Sequence, residues 1–240
     1  MFASFLPSSG AASAAGRRPL PLLVLLLLSL LPAVTTWSAF YLEVWPYIIY
    51  PLAKISLVLL PFAVWRLVGG SWWAGLPDMG LAPPSRRGVV SGLLLSILIG
   101  AVFFLLAADL PGSAIRQKLE SLGILDYYWS AGFFILAVNS ALEEWYWRGF
   151  LLAEWRNHVK QPAVIIAGGG LFFGFHHFFT LLPYFSLAPV LLFTGATMLA
   201  GALWSWQRLQ GWSLLDCYLS HLIADVTIIM VGAILVFPAV

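Results

Sequence analysis

The chain has 240 residues, of which 61% are hydrophobic and only 9% are charged, and its formal net charge is +2. Soluble globular domains carry about a quarter charged residues, so this composition excludes a soluble domain and indicates a protein that crosses a membrane several times. The small net charge, without basic blocks, gives no electrostatic surface for nucleic acid. Because Cys217 is the only cysteine, an intrachain disulfide is also excluded.

The first sixteen residues are rich in Ser, Ala and Gly and are predicted to be a disordered tail, and 17–240 are predicted to form one transmembrane domain. An α-helix needs about 20 apolar residues to cross the hydrocarbon layer, and the apolar runs are too long for the strands of a barrel. We therefore predict an all-α, polytopic membrane helical bundle with about seven transmembrane helices. The predicted spans are 19–41, 45–66, 89–108, 129–152, 162–182, 185–206 and 213–237.

The first span follows the basic pair Arg17 and Arg18, so it could be a cleaved signal peptide. An uncleaved signal-anchor helix is favoured, because a multi-spanning chain needs no separate signal. Gly, Pro and charged residues predict a loop at 72–87. A second predicted loop, at 109–128, contains the sequence AIRQKLESLGI, which could form a short surface helix.

Basic residues predict the orientation, because cytoplasmic loops are enriched in Lys and Arg. The odd-numbered connections, counted from the N-terminal tail, carry eight such residues, and the even-numbered ones carry Arg116 and Lys118. This asymmetry predicts a cytoplasmic N-terminus. The eight residues are Arg17, Arg18, Arg66, Arg86, Arg87, Arg156, Lys160 and Arg208.

Ionisable residues inside the spans are the candidate functional residues, because a charge at the bilayer centre costs about 2.5–3.5 kcal/mol on insertion scales. The first cluster is Glu143, Glu144 and Arg148. Glu144 and Arg148 are four residues apart, so they share a helix face and can pair. Glu143 is rotated by about 100° from Glu144, points elsewhere and stays available for chemistry. A packing network of all three residues is the alternative.

The second cluster is the pair His176 and His177 in LFFGFHHFF. Adjacent side chains point to different faces, so at most one of the two histidines is expected to join Glu143. A hydrogen bond between helices is the alternative role, and it is favoured for His176. The glycines at 167–174 predict a close approach to a neighbouring helix.

The third cluster is His221 and Asp225, which are four residues apart and share a helix face. A carboxylate behind a histidine fixes its tautomer; a polar pair satisfied within the helix is the alternative. Lys54 lies in the middle of the second span and is expected to pair with an acid or to face water. Asp216, near the start of the last span, is expected to cap it or to face headgroups. Neither Lys54 nor Asp216 is predicted to be catalytic.

These residue types allow several kinds of chemistry. A carboxylate with histidines can activate water and transfer protons, and a histidine with a polar neighbour can stabilise an oxyanion. The same residues suit zinc or a proton path, so hydrolysis, a metal site and transport remain open from the residues alone. The chain has no HExxH motif and no transporter-type repeat.

The motif order EExxxR, FxxxH and HxxxD resembles the CPBP family, the CaaX-protease and bacteriocin-processing group that includes the Rce1-type prenyl-protein endopeptidases. The segment PDMGLAPPSRR is similar to that family's Gly-Leu and Arg lead-in, so the resemblance covers roughly 75–230. His177 is preferred over His176 because of the FG pair at 173–174, although Phe172 with His176 also fits the spacing. The matching residues are Glu143, Glu144, Arg148, Phe173, His177, His221 and Asp225.

The resemblance implies a glutamic-type intramembrane endopeptidase in which Glu143, with His177, activates water. It also implies that His221 and the residue at 225 stabilise the oxyanion, with Glu144 in the catalytic set. Rce1-type members carry Asn where this chain has Asp225, and an ionised Asp cannot donate a hydrogen bond. Asp225 is therefore expected to orient His221, unless it is protonated. Arg148 and Phe173 are expected to give structural support.

The implied partners are the lipid bilayer and a membrane-anchored or lipidated peptide or protein substrate. Rce1-type members remove the last three residues of prenylated CaaX proteins, whereas several bacterial relatives are thought to process bacteriocins or C-terminal sorting signals. The compact chain favours the bacterial inner membrane. No cofactor, metal or nucleic acid is predicted, although a metal-dependent protease stays open. Two functions without proteolysis also remain open. One is a catalytically inactive immunity or scaffold protein, and the other is a proton-relay or ion-relay transport protein.

Overall fold

The computed structural model describes residues 18–237, so the predicted disordered tail lies outside the described residues. Within them, helices and turns are present without a strand. Six helices are long and apolar enough to cross a membrane, and one bent helix pair brings the count to seven. This confirms the prediction of an all-α polytopic bundle. The helices are α1 (Leu22–Tyr41), α2 (Pro46–Gly69), α3 (Arg86–Asp109), α4 (Gly112–Ser121), α5 (Leu125–His158), α6 (Pro162–Leu181), α7 (Leu187–Leu209) and α8 (Leu214–Val236).

The fourth predicted span differs most from the structure. The expected span 129–152 is the middle of the longer helix α5, and α4 meets α5 at a bend of 99°. At 1.5 Å per residue, α5 is about 50 Å long, which exceeds the hydrocarbon thickness of about 30 Å. Helix α5 is therefore tilted or extends beyond the hydrocarbon layer. Helix α4 is the short helix predicted in the second loop.

The start of α8 is fixed by reciprocal hydrogen bonds. Ser213 Oγ accepts a bond from the Asp216 amide at 3.0 Å, and Asp216 Oδ2 accepts one from the Ser213 amide at 3.1 Å. Such a capping box satisfies two amides that the helix leaves free. Asp216 Oδ1 also accepts a bond from the Ser85 amide at 2.6 Å, and the Leu214 amide donates to the Gly80 carbonyl at 3.0 Å. The capping role expected for Asp216 is confirmed. The bonds to Ser85 and Gly80 also attach the segment PDMGLAPPSRR, which precedes α3, to the start of α8.

Glycines of α6 determine how closely this helix packs on α7. A Cβ atom at Gly174 would lie 2.9 Å from the Met198 backbone nitrogen, and one at Gly170 would lie 2.5 Å from the Met198 carbonyl oxygen. Real Cβ atoms do not approach so closely, so only glycine fits at these positions. The close approach predicted from the glycines at 167–174 is confirmed, and it places the α6 histidines beside the bundle interior.

Replacing Gly174 by Ala is expected to destabilise the protein by about 1–3 kcal/mol, because the added methyl group forces α6 away from the α7 backbone. Thermal unfolding of the detergent-solubilised protein measures this loss. Gly168→Ala is the matched control on the same helix, since nothing lies within 4 Å of a Cβ atom there. Equal unfolding temperatures for the two variants would contradict the packing described above.

Candidate active site

The two adjacent glutamates lie in a part of α5 that departs from regular α-helical geometry. The short α-helical stretch Ser140–Glu144 is flanked by the wider π-helical turns Ile135–Asn139 and Trp145–Leu151. Such turns are uncommon and are frequent at functional sites. Glu143 and Glu144 are both buried, with exposed fractions of 3% and 1%.

Glu144 is held by a network that crosses the bundle. Its Oε1 atom accepts a hydrogen bond from Arg148 Nη1 at 3.0 Å, and Arg148 Nη2 donates to the Gly201 carbonyl of α7 at 3.1 Å. The Arg148 guanidinium also lies 4.3 Å from the centre of the Phe173 ring. The pairing predicted for Glu144 and Arg148 is confirmed, and it joins α5, α6 and α7.

Glu143 points to a different set of neighbours. Its Oε1 atom accepts hydrogen bonds from Asn139 Nδ2 at 2.9 Å and from Lys54 Nζ of α2 at 3.4 Å. Its Oε2 atom is buried and has no hydrogen-bond partner among residues 18–237. Lys54 thus pairs with an acid, as expected. Asn139 was missed by the sequence reasoning, although its spacing of four residues from Glu143 could have indicated it.

Both histidines of α6 lie close to Glu143. His176 Nε2 is 3.6 Å from Glu143 Oε1, and His177 also offers a ring nitrogen within 4.8 Å of the other two groups. The expectation that at most one histidine would join Glu143 is wrong, because the two rings converge to a centroid distance of 4.0 Å.

The hydrogen bonds of the two rings differ. His177 Nδ1 lies 3.1 Å from the Phe173 carbonyl, and a carbonyl can only accept, so Nδ1 carries the proton and Nε2 is left as an acceptor. The His176 ring stacks on Trp147 at 5.9 Å, with an angle of 11° between the planes. Each ring is therefore held in place by a contact other than Glu143.

His221 of α8 lies between three carboxylates. Its Nδ1 atom is 2.9 Å from Glu144 Oε1, and its Nε2 atom is 3.4 Å from Asp225 Oδ2 and 3.9 Å from Glu143 Oε2. Its ring stacks on Trp204 at 4.3 Å. The short hydrogen bond that orients His221 thus comes from Glu144, and Asp225 lies on the opposite side of the ring.

Asp225 itself is held by α5. Its Oδ2 atom accepts a hydrogen bond from Ser140 Oγ at 2.7 Å. Ser140 was missed by the sequence reasoning, and no local spacing in the sequence points to this contact, since the two residues belong to different helices. With this bond, the three predicted clusters on α5, α6 and α8 meet in one buried site.

A small cavity opens on one side of Glu143. It encloses about 20 Å³ of space open to the centre of a water molecule, which is room for about one water. Its walls include Lys54, Glu143, Trp147 and His176, together with parts of α1 and α2. The site therefore holds a base candidate, two histidines and space for one water.

The site also has a set of metal-type ligands. Glu143, His176 and His177 each offer a ligand atom within 4.8 Å of the others, and a carboxylate with two imidazoles suits zinc. The Lys54 ammonium, 3.4 Å from Glu143 Oε1, opposes this use because it occupies the position of a positive charge beside the carboxylate.

Comparison with known families agrees with the motifs. Residues 126–227 match the family described as Type II CAAX prenyl endopeptidase Rce1-like, which confirms the resemblance. The match includes all seven motif residues but covers less than half of the 240-residue chain, and α1 to α4 lie outside it. The comparison with curated proteins and the comparison with solved structures gave no match. The helices are long and apolar enough for an integral membrane protein, and 126–227 of this chain are similar to the Rce1-like prenyl endopeptidases.

Replacing Arg148 by Met is expected to destabilise the protein by about 3–5 kcal/mol, because the buried Glu144 carboxylate loses its cation. The double variant Glu144→Gln with Arg148→Met is expected to recover part of this loss. Unfolding free energies in detergent for the two single variants and the double variant give the coupling of the pair.

The pair Arg116 and Glu120 provides the control, since it has the same spacing and the same 3.0 Å distance but is exposed. Its coupling is expected to stay below about 1 kcal/mol. Additive losses at Glu144 and Arg148, with no recovery in the double variant, would argue against a buried ion pair.

Proposed function

We propose that the protein is a glutamic-type intramembrane endopeptidase that hydrolyses a peptide bond in a membrane-associated protein or a C-terminal signal. The observation that carries this proposal is the position of the buried Glu143 carboxylate. It has an oxygen without a hydrogen-bond partner in the described part of the chain, as Glu144 also has, but of the two acids Glu143 is the one that lines a cavity. It lies beside a cavity for one water and two histidines. The match of 126–227 to an endopeptidase family supports the same chemistry.

In the proposed reaction, Glu143 and His177 hold the water, and Glu143 removes its proton as the water oxygen bonds to the peptide carbonyl carbon. The carbonyl electron pair moves to the oxygen, and the resulting oxyanion is stabilised by His221. When this pair returns, the carbon–nitrogen bond breaks and the amine takes the proton from Glu143. Asp225 Oδ2 lies 2.7 Å from Ser140 Oγ and 3.4 Å from His221 Nε2, and these contacts favour a role for Asp225 in orienting His221.

The substrate is proposed to be a membrane-anchored or lipidated peptide or protein, which reaches the site from within the bilayer. The domain is proposed to include 17–240, with its N-terminus in the cytoplasm of a bacterial cell. The exposed Arg86, Arg87 and Lys160 lie at the ends of α3 and α6 that this orientation places inside. Anionic lipid headgroups on that face would attract these residues.

The alternative functions are not favoured. An inactive scaffold has no need for a buried carboxylate oxygen beside a water-sized cavity, because leaving such an atom unpaired costs stability. A transport role is typically accompanied by paired broken helices near the middle of the membrane. The described part of the chain contains one bent pair, α4 with α5.

Replacing Glu143 by Gln is expected to abolish peptide cleavage while the protein stays folded, because the amide keeps the shape of the side chain but cannot accept the proton. Purified wild type and variant are incubated with a library of membrane-anchored peptides, prenylated and unprenylated, and cleavage is read by mass spectrometry. Glu120→Gln is the matched control, since Glu120 is half exposed on α4. Equal cleavage by wild type and Glu143→Gln would remove Glu143 from the mechanism.

A metal chelator in a parallel arm separates two forms of the proposal. Cleavage that persists with chelator supports a glutamate-activated water. Cleavage that is lost with chelator and restored by zinc would instead support a metal held by Glu143, His176 and His177.

Replacing His177 by Ala is expected to lower kcat by about 10²-fold, the lower end of a proton-transfer contribution, because the water loses one hydrogen-bond partner while Glu143 still takes its proton. His176→Ala is the comparison and is expected to lower kcat less, because the proposed water contact belongs to the free Nε2 of His177. Single-turnover cleavage by both variants measures the difference. The reverse order would assign the water-binding role to His176, whose Nε2 lies 3.6 Å from Glu143 Oε1.

A further inference from the structure

Lys54 belongs to the part of the site that lies outside the family match, since it is on α2 and the match begins at residue 126. We propose that Lys54 is a further catalytic residue, whose ammonium group binds the oxyanion formed at the scissile carbonyl. This inference rests on the proposed endopeptidase function. Four observations carry it: the free donor of Lys54, the charge of the site, the contacts of Asp225, and the walls of the cavity.

The Lys54 ammonium has more donors than partners. An ammonium group carries three N–H donors, and the hydrogen bond to Glu143 Oε1, at 3.4 Å, is long. The further contact is with the Tyr50 ring, whose centre is 5.1 Å away. The Tyr50 side chain is also a hydrogen-bond partner of Lys54, so one of the three donors has no partner among residues 18–237. The group therefore keeps donor capacity for an oxygen that enters the cavity.

The charge of the site favours a cation beside the substrate oxygen. The carboxylates of Glu143, Glu144 and Asp225 surround His221. Arg148 is committed to Glu144 and to the Gly201 carbonyl. A negative charge that develops on substrate oxygen would be repelled by this set unless a cation stands beside it, and stabilisation of such a charge is usually the largest catalytic contribution.

Asp225 offers no free donor to a substrate oxygen. Ser140 has one hydroxyl proton and also lies 2.8 Å from the Ile135 carbonyl, so either Ser140 donates to Asp225 Oδ2 or a protonated Asp225 donates to Ser140. In both cases Asp225 has no free proton to donate. His221 Nε2 faces Asp225 at 3.4 Å and Glu143 at 3.9 Å, so its proton is drawn toward carboxylates. A second donor must then come from another element.

The walls of the cavity show which element provides it. Lys54 and Glu143 both line the space for one water, whereas the described lining includes neither His221 nor Asp225. A carbonyl attacked by a water in this cavity places its oxygen on the same side of Glu143. Lys54 is thus a charged donor on the side of Glu143 where the cavity lies, and it acts in addition to His221.

In this step the ammonium transfers no proton. The water oxygen bonds to the carbonyl carbon, Glu143 takes one water proton, and the carbonyl electron pair moves to the oxygen, where Lys54 stabilises the charge. The charge disappears when the pair re-forms the carbonyl and the carbon–nitrogen bond breaks. Because the interaction strengthens only in the transition state, its loss lowers kcat and leaves KM little changed.

The experiment compares Lys54→Met with wild type on whichever library peptide the wild type cleaves, with Glu143→Gln measured in parallel. Loss of one oxyanion donor is expected to lower kcat by about 10²–10³-fold. Lys160→Met is the matched control, because Lys160 is exposed and bonds only to the Arg156 carbonyl in the described structure. It is expected to cleave at the wild-type rate.

Chemical rescue of activity distinguishes a role of the Lys54 charge from a role of the Lys54 side chain in packing. In Lys54→Cys, alkylation with 2-bromoethylamine forms a carbon–sulfur bond, releases bromide and restores an ammonium at lysine length. Methyl methanethiosulfonate adds a neutral group to the same thiol. The one native cysteine, Cys217, is fully buried, so the introduced thiol is the accessible one, and intact mass gives the labelled fraction.

Recovery of kcat with the ammonium reagent, and not with the neutral one, is the expected result. Full activity of Lys54→Met beside an inactive Glu143→Gln would overturn the role of Lys54 and leave the proposed function standing. Equal recovery with both reagents, or with neither, would show a packing role and overturn the inference. If wild type cleaves no peptide, or cleaves no better than Glu143→Gln, the proposed function fails and this inference fails with it.

Discussion

The carboxylate of Glu144 is the group on which the geometry of the site depends. Its Oε1 atom accepts hydrogen bonds from Arg148 of α5 and from His221 of α8, and Arg148 continues to the Gly201 carbonyl of α7. A buried ion pair adds little net stability, because both charges lose their hydration, but removing one member leaves the others uncompensated. The network therefore acts mainly by fixing the positions of three helices relative to one another, and with them the ring of His221.

Glu143, one residue away, has the opposite surroundings. The rotation of about 100° per residue turns it from the Glu144 network toward α2, α6 and the cavity. Its Oε2 atom lacks a hydrogen-bond partner in the described part of the chain, as does Glu144 Oε2, but Glu143 is the acid that lines the cavity. A buried acceptor without a partner costs stability, so its presence fits a group that waits for a water or a substrate. Two adjacent acids thus divide structural and chemical roles because a helix separates neighbouring side chains.

The sequence could predict the features that belong to one helix. The length of the apolar runs indicated the spans, and a spacing of four residues indicated the pairing of Glu144 with Arg148. Contacts between helices could not be predicted in the same way. Lys54 meets Glu143 across 89 residues of chain, and His221 bonds to Glu144 through a geometry that depends on how α8 packs. The π-helical turns of α5 also escaped prediction, because they leave no pattern in residue spacing.

The segment PDMGLAPPSRR before α3 holds the start of α8, and the need for this follows from the depth of the site. His176 lies 14 residues into α6, or about 21 Å, whereas His221 lies 7 residues into α8, or about 10 Å. Both histidines contact Glu143, so the two helices cannot begin at the same level unless they are tilted. The start of α8 is accordingly buried within the protein, where its free amides need partners. Asp216 and the backbone of the lead-in provide them, through the bonds from the Ser85 amide and to the Gly80 carbonyl, and so hold α8 where His221 reaches the two glutamates.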